Sequence, residues 1–510
     1  MNNNASQTKA EAARNIEVGT SQEQIEFLVN LPEDNVSKIL SASASVVIDK
    51  YEALLGELSF SGEACLNLVY SLDDGTMANY KTCQEFSRKF ENLFFDPSSL
   101  VNILPKVLDV SVEKGANNTL KVKLTIENSF SVLKNQEINV FQNQDADVFV
   151  KESEIKLSKQ KERNCHTFNQ PSVFETKLPV GKILNTTSGV VITKADALDG
   201  TVVFEGETIT KLLYVTNDDR PLLVSLINKD MFREEVENSN ANREDMVDGY
   251  AIVLGKDIEE SIDEDTKTVE VTVPVKICYD LYQAETINVT ADAYSTEAQL
   301  NLTTEAFITT NVVGCETFTN KIEGNLSLGE QVPRIDKVLA VDGAYLTPTN
   351  ETIENGELLS EGTVHLNLIY LNDEEENINA VSLEFPYSFT EKIGNENVTI
   401  ARSSNEIIEL DATVKRGRDI YIDGKIKTTL WFIFDEENAV VSGAEKGEKL
   451  KPRDGAIEIF FAQEGKTFWD VAKELKVSEN LLKDQNQEIV EPFAKTEKIV
   501  FFDQRQIEIE

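Results

Sequence analysis

The sequence is poor in the side chains that most often carry chemistry. It contains two histidines, two tryptophans and five cysteines in 510 residues. The cysteines are scattered, odd in number and never form a C-x-x-C pair, which disfavours zinc sites, redox motifs and a disulfide framework. Reduced thiols are typical of proteins in a reducing compartment, so we expect a cytoplasmic location.

Long apolar runs are also missing. No stretch approaches the roughly 20 apolar residues that a transmembrane helix requires. The opening residues, Met-Asn-Asn-Asn-Ala-Ser-Gln, lack the apolar segment of a secretory signal. We therefore expect neither a membrane span nor secretion, and we expect residues 1–14 to be disordered because they are small, polar and without periodicity.

Basic residues are few compared with acidic ones. Lysine and arginine number 49 and aspartate and glutamate 89, which gives a formal net charge of −40. A field of that sign repels nucleic acids and anionic membranes, so we expect neither as a partner. The charge fits a large β-rich protein that stays soluble, and it also fits a partner with a basic face.

What the sequence does contain is an internal repeat with the pattern Gly-x5-Gly-x7-Tyr. The three copies are Gly56–Gly62–Tyr70, Gly200–Gly206–Tyr214 and Gly356–Gly362–Tyr370. Two fixed gaps in three copies indicate a structural repeat. After the second glycine, apolar residues alternate with others, which predicts a strand with one buried face. Short polar residues follow each tyrosine and predict a turn and a return strand.

The length of the chain predicts three or four domains. We expect three tandem β-rich domains at residues 15–160, 174–308 and 319–442. Polar composition predicts a linker at residues 159–173 and a hinge at residues 443–449.

The last stretch, residues 455–510, has a different pattern. Residues 457–462 and 498–502 predict strands, and the two segments between them predict helices. Thr467 and Asp470 are spaced as a capping box at the start of the first helix, and Ser478 begins the second. The predicted fold class is therefore mainly β, with a small α+β module of βααβ order at the end.

This tail resembles a LysM module. The match depends on Gln463–Gly465, Thr467–Ala472, Val477–Ser478, Leu481–Lys483 and Asn486. The three repeats resemble the SPOCS domain of endospore coat-assembly proteins, matched at the glycine–tyrosine hairpin and at the Ile-Asn-Val strands, Ile138–Val140 and Ile287–Val289. Three such domains followed by one LysM resemble the SipL-like family of spore coat morphogenetic proteins.

The resemblance implies a non-catalytic scaffold in the mother cell, at the forespore surface and in the spore coat. It implies that the LysM binds a coat-basement ATPase of the SpoIVA type, and that the chain helps other coat proteins to encase the forespore. It leaves open whether the chain self-associates. Two alternatives also remain open: a peptidoglycan-binding surface protein, and a self-polymerising coat or appendage subunit.

The predicted partner-binding residues lie in this module. Trp469 falls outside the apolar stripe of the first helix, so we expect it to be partly exposed and to act as an interface anchor. The other predicted residues are Lys466, Gln463, Ile489 and Asn486. Sugar-binding LysM modules read glycans with the loops after the first strand and after the second helix. The family's Gly-Asp-Thr is Gly465-Lys466-Thr467 here, and Thr496-Glu497 replaces its Gly-Gln, which disfavours glycan binding.

Nothing in the sequence predicts an enzyme, a cofactor or a metal site. His365 is expected to face solvent on its strand. The neighbours Cys165 and His166 resemble a nucleophile and a base, but no third group is identifiable. The acidic clusters at residues 263–265 and 374–376 lack the spacing of a calcium loop and are expected to be solvated turns.

Overall fold

The computed structural model describes residues 6–33, 35–115, 119–263, 267–373, 377–394, 397–451 and 457–503. Strands dominate this part of the chain, so the prediction of a mainly β fold is confirmed. The acidic residues 264–265 and 374–376, and residues 1–5, 455–456 and 504–510 of the predicted end segments, lie outside the described residues.

The first stretch forms two antiparallel sheets. Its strands are β1 (Ser6–Asn30), β2 (Val36–Leu54), β3 (Glu57–Leu72), β4 (Met77–Glu91), β5 (Leu100–Lys114) and β6 (Thr119–Gln142). One sheet has the order β1-β6-β5 and the other the order β2-β3-β4. The buried faces of the two sheets share one apolar core.

The second stretch repeats this plan with one strand more. Its strands are β7 (Val148–Glu175), β8 (Val180–Leu198), β9 (Thr201–Thr216), β10 (Leu223–Glu237), β11 (Met246–Val253), β12 (Glu259–Asp263) and β13 (Thr268–Ser295). The sheet β8-β9-β10 lies against β13, which pairs with β7 along one edge and with β11 and β12 along the other.

The third stretch returns to six strands, and the chain ends in the small module. The strands are β14 (Ala298–Ser327), β15 (Ile335–Glu354), β16 (Glu357–Asn372), β17 (Ile378–Lys392), β18 (Thr399–Arg416) and β19 (Asp419–Lys449). They form the sheets β14-β19-β18 and β15-β16-β17. The module comprises β20 (Ile457–Ala462), α1 (Phe468–Leu475), α2 (Glu479–Gln485) and β21 (Glu497–Phe502), so the predicted strand–helix–helix–strand order is confirmed.

The glycine–tyrosine repeat has a structural cause. Each copy starts at a turn and continues along the central strand of a three-stranded sheet, namely β3, β9 or β16. The first glycine has a positive φ of 78°, 80° or 76°, where a side chain is strained. The second glycine faces a β-bulge in the preceding strand, and a Cβ there would approach a backbone oxygen to within 3.0 Å. The tyrosine is buried in all three copies, as the repeat predicts.

The predicted boundaries are wrong in three places. Residues 6–14 belong to β1, so the prediction of disorder fails from residue 6 onward. The predicted linker at residues 159–173 lies within β7, and the predicted hinge at residues 443–449 is the end of β19. These segments are polar, but each pairs along its length with another strand, which satisfies the backbone hydrogen bonds.

The three stretches pack around a common centre. Val69, Leu213 and Ile369, which each precede a repeat tyrosine, belong to a single buried cluster. A second cluster contains residues of β1, β6, β7, β13, β14 and β19. Because strands from all three stretches contribute to both clusters, the repeats form one body.

The prediction of unpaired cysteines is wrong. Cys65 on β3 is bonded to Cys83 on β4, and Cys165 on β7 is bonded to Cys278 on β13. The partners face each other directly across neighbouring strands, with Cα atoms 4.0 and 4.1 Å apart. The paired cysteines become neighbours only through the register of their strands. That register cannot be read from the spacing of the cysteines in the sequence. Cys315 is free and half-buried.

Candidate interaction surface of the C-terminal module

The C-terminal module is held together by a small core and two capped helices. Thr467 accepts a hydrogen bond from the backbone N–H of Asp470, whose carboxylate accepts the Thr467 N–H at 2.8 Å, so the predicted capping box is confirmed. The Ser478 side chain caps α2 by accepting from the Leu481 N–H, as predicted. Phe468, Val471 and Ala472 are buried, in agreement with the predicted apolar stripe.

The prediction that Trp469 is exposed is wrong. Its side chain is only 5% exposed. The indole N–H donates to Asp292 Oδ2 at 3.0 Å, and the ring packs edge-on against Tyr294 with the centroids 5.0 Å apart. Both partners lie on β13 of the second stretch. The side of α1 that faces away from the module core is therefore covered by the body of the same chain.

Asp292 joins α1 to the body through a second contact. Lys473 Nζ lies 2.6 Å from Asp292 Oδ1. Burial opposes ionisation of this carboxyl group, but the hydrogen bonds from Lys473 and Trp469 hold its pKa below the usual value. The Tyr294 hydroxyl donates to the backbone oxygen of Val477 at 2.7 Å and extends the same contact. The module is thus attached by a set of apolar and charged contacts.

The other predicted partner-binding residues differ in how far they are exposed to solvent. Asn486 is buried, and its side chain bonds to Leu482 O and to both the N–H and the carbonyl of Val500. It therefore ties α2 to β21 and is not available to a partner, contrary to the prediction. Ile489 is half-buried against the module core. Gln463 is exposed, and Lys466 is half-buried with its Nζ 3.2 Å from Glu474 Oε2.

The two loops that the LysM resemblance associates with glycans bond to each other. The Gly465 N–H donates to Phe493 O at 2.8 Å, and the Phe493 N–H donates to Lys466 O at 2.9 Å. Glu491 Oε2 accepts the Phe468 N–H at 2.7 Å. Backbone groups that could otherwise meet a sugar hydroxyl are therefore occupied within the module.

The exposed apolar surface of the module lies on its sheet. Ile457, Ile459 and Phe461 alternate along β20 and are 61, 49 and 67% exposed. Phe502 pairs with Ile457 across the sheet and is also exposed, so four apolar side chains share one face. We call these four residues the sheet face. Contiguous apolar surface of this kind marks interaction sites more often than scattered exposed residues do.

The sequence contained a signal for this surface. In Ile457-Glu-Ile-Phe-Phe-Ala462 both alternating sets include large apolar residues, whereas a half-buried strand needs only one such set. The Ala462 side of β20 meets the module core, and the Ile459 side is left outward.

The residues considered for catalysis have other roles. Cys165 is bonded to Cys278, and His166 Nε2 lies 2.8 Å from Glu234 Oε1. The prediction that His365 faces solvent is wrong: its side chain is 15% exposed and stacks on Tyr345 with the ring centroids 4.6 Å apart. Within the ranges given above, no group of three or more histidine, cysteine or acidic residues is placed to hold a metal ion.

No helix in the described part of the chain is both long enough and apolar enough to span a membrane. Comparison with family models, with curated proteins and with solved structures gives no match to this chain.

Proposed function

We propose that this protein is a non-catalytic scaffold in endospore coat assembly. Its C-terminal LysM-like module docks on a coat-basement ATPase of the SpoIVA type, and its three SPOCS-like domains recruit other coat proteins around the forespore in the mother cell. The observation that carries the proposal is the sheet face, a cluster of exposed apolar side chains on the module that the resemblance assigns to docking.

The position of the module supports a docking role. Trp469 and Lys473 attach one side of it to β13, while β20 presents Ile457, Ile459 and Phe461 on the outside. A partner that binds the sheet face therefore becomes linked to the whole body. Exposed aromatic and aliphatic anchors of this type commonly dominate the energy of protein interfaces.

The chemistry of the module favours a protein partner over a sugar. The loop at Gly465 and Lys466 is bonded to Phe493, which leaves few free polar groups to read hydroxyls. The sheet face is apolar and suits a complementary apolar protein surface. Gln463 directly follows β20, is exposed and supplies a polar contact at the margin of the sheet face, whereas Lys466 lies over the ring of Phe460 on the other side of the strand.

A second candidate is a peptidoglycan-binding surface protein. The two disulfides favour it, because disulfides persist mainly in oxidising compartments. Sedimentation with purified peptidoglycan distinguishes the candidates. Retention of the full chain by the wall supports the second, and absence of retention together with ATPase binding supports the first.

In sporulating cells we expect Phe461→Lys to lose its localisation at the forespore. The substitution places a charge in the sheet face without touching the module core, so the protein should accumulate normally but remain diffuse. Met231→Lys is the matched control, because Met231 is an exposed apolar residue, at 85%, on strand β10 of the body. Fluorescence microscopy of tagged chains, with immunoblots for abundance, makes the comparison. Forespore localisation of a stable Phe461→Lys chain would contradict the proposed docking face.

A further inference from the structure

A cavity of about 430 Å³ lies where the three repeats meet. Its lining comes from all three stretches, including β2 and β3, β8 and β9, and β15 and β18. The volume falls within the range of about 300–1,000 Å³ that small-molecule sites occupy. It belongs to the body and is separate from the module that carries the proposed docking surface.

Lys211 stands out among the lining residues. It occupies the position three residues before the repeat tyrosine, where the other copies have Asn67 and Asn367. Those asparagines are hydrogen-bonded: Asn67 to Asn185, and Asn367 to Ser41 and Ser382. The Lys211 ammonium has no hydrogen bond or ion pair within the described residues. Burial lowers its pKa, although Glu406 and Asp342 act in the opposite direction.

Glu406 supplies the opposite charge in the same cavity. Its carboxylate lies against Gly189, where any Cβ would collide with it. It makes no ion pair with Lys211 within 4.0 Å, and among the described residues it has no hydrogen-bond partner. Burial raises the pKa of Glu406 to about 7, with Lys211 acting to lower it. Charges buried in a protein are normally paired. Lys211 and Glu406 line one cavity without contacting each other, which leaves room for a ligand between them.

The rest of the lining mixes small polar residues with aliphatic ones. Val253 and Ile258 contribute partly buried aliphatic side chains. The lysines at the rim are already paired, since Lys81 lies 3.0 Å from Glu260 and Lys256 lies 2.5 Å from Glu63. The site therefore offers one unpaired cation, one unpaired carboxyl group and an aliphatic wall.

We propose that this cavity binds a small zwitterion with an aliphatic body, of the class of the aliphatic α-amino acids. Lys211 binds the ligand carboxylate and Glu406 binds its ammonium group. The aliphatic side chain packs on the wall formed by Val253 and Ile258. Such a ligand pairs both enclosed charges, whereas a singly charged ligand leaves one of them unpaired at a cost.

Isothermal titration of the full chain with three probes tests this assignment. L-leucine carries both charges, leucinamide lacks the carboxylate, and 4-methylpentanoate lacks the ammonium group. We expect leucine to bind, and each analogue to bind at least about tenfold more weakly because one charge stays unpaired. Absence of leucine binding at millimolar concentrations, or equal binding of either analogue, would overturn the proposal.

Lys211→Asn is the decisive variant, because asparagine already stands at the matching position of the other two repeats. We expect it to fold, as checked by circular dichroism, and to lose leucine binding by at least about tenfold. Lys256→Asn at the rim is the control and should bind within about twofold of the wild type. If Lys211→Asn does not fold, Glu406→Gln takes its place with the same expected loss. Wild-type affinity in the folded variant would disprove the site.

Discussion

Trp469→Ala is expected to lower the unfolding free energy by about 3–5 kcal/mol, the usual cost of removing a large buried aromatic side chain. The indole is enclosed between α1 and Tyr294, and its N–H has a partner in Asp292. The substitution should destabilise both the fold of the module and its attachment to the body. Urea unfolding of the full chain, with limited proteolysis between residues 449 and 457, measures both effects.

Phe461→Ala is the matched control, because it removes an exposed aromatic side chain, at 67%, from the same module. We expect it to change the unfolding free energy by no more than about 0.5 kcal/mol. In a Trp431→Phe background, the fluorescence of Trp469 should be that of a buried indole shielded from soluble quenchers. A Trp469→Ala protein that unfolds like the wild type would show that the indole does not pack against the body.

The contact of Trp469 with Asp292 should also depend on pH. The folded-state pKa of Asp292 is lowered, so its contribution to stability is present above its unfolded pKa. That contribution is lost as the pH falls through the folded-state pKa. Asp292→Asn should therefore show a smaller loss of stability in acid than the wild type, as measured by unfolding at a series of pH values.

Arg163→Met is expected to lower the unfolding free energy by about 3–5 kcal/mol, because it leaves the buried carboxylate of Asp280 without its cation. Arg163 lies 2.7 Å from Asp280, and its guanidinium also donates to Val101 O and to Asn102 Oδ1 on β5. One side chain thus links the first stretch to the second. Its removal should reduce the cooperativity of unfolding as well as the stability.

Arg233→Met is the matched control for this prediction. Arg233 pairs with Glu205 and Glu235 on the surface and is 53% exposed, so its loss should cost no more than about 1 kcal/mol. The double variant Arg163→Met with Asp280→Leu removes both buried charges and should recover part of the loss. Equal stability of Arg163→Met and Arg233→Met would contradict the bridging role of Arg163.

The repeat and the module could be predicted from the sequence because both depend on local patterns. Positive φ at Gly56 and its two equivalents, and close approach at Gly62 and its equivalents, require glycine at fixed spacing. The Thr467 cap is likewise set by residues three positions apart. Such features are visible in a single sequence.

The disulfides and the burial of Trp469 could not be predicted, because they depend on contacts between distant segments. Cys165 and Cys278 are 113 residues apart, and only the register of β7 on β13 makes them neighbours. Trp469 lies off the apolar stripe of α1, but a residue off the stripe is buried when another part of the chain covers that side. Here Asp292 and Tyr294 do so, and neither is marked as a docking residue by local sequence.

The segments predicted as a linker and a hinge are paired strands for the same physical reason. The long strands β7 and β19 include polar segments, and their pairing partners lie far along the chain. A polar segment without strong alternation is easily interpreted as a linker. Hydrogen bonding to a distant strand is what makes it regular structure.

The affinity of the purified full chain for a SpoIVA-type ATPase is the measurement that decides whether the sheet face of the module is the proposed docking surface. We predict saturable binding by the wild type and by Met231→Lys. Ile459→Lys combined with Phe461→Lys should bind at least about thirtyfold more weakly, equivalent to about 2 kcal/mol. Absence of binding by the wild type, or undiminished binding by the folded double variant, would show that the sheet face is not the docking surface.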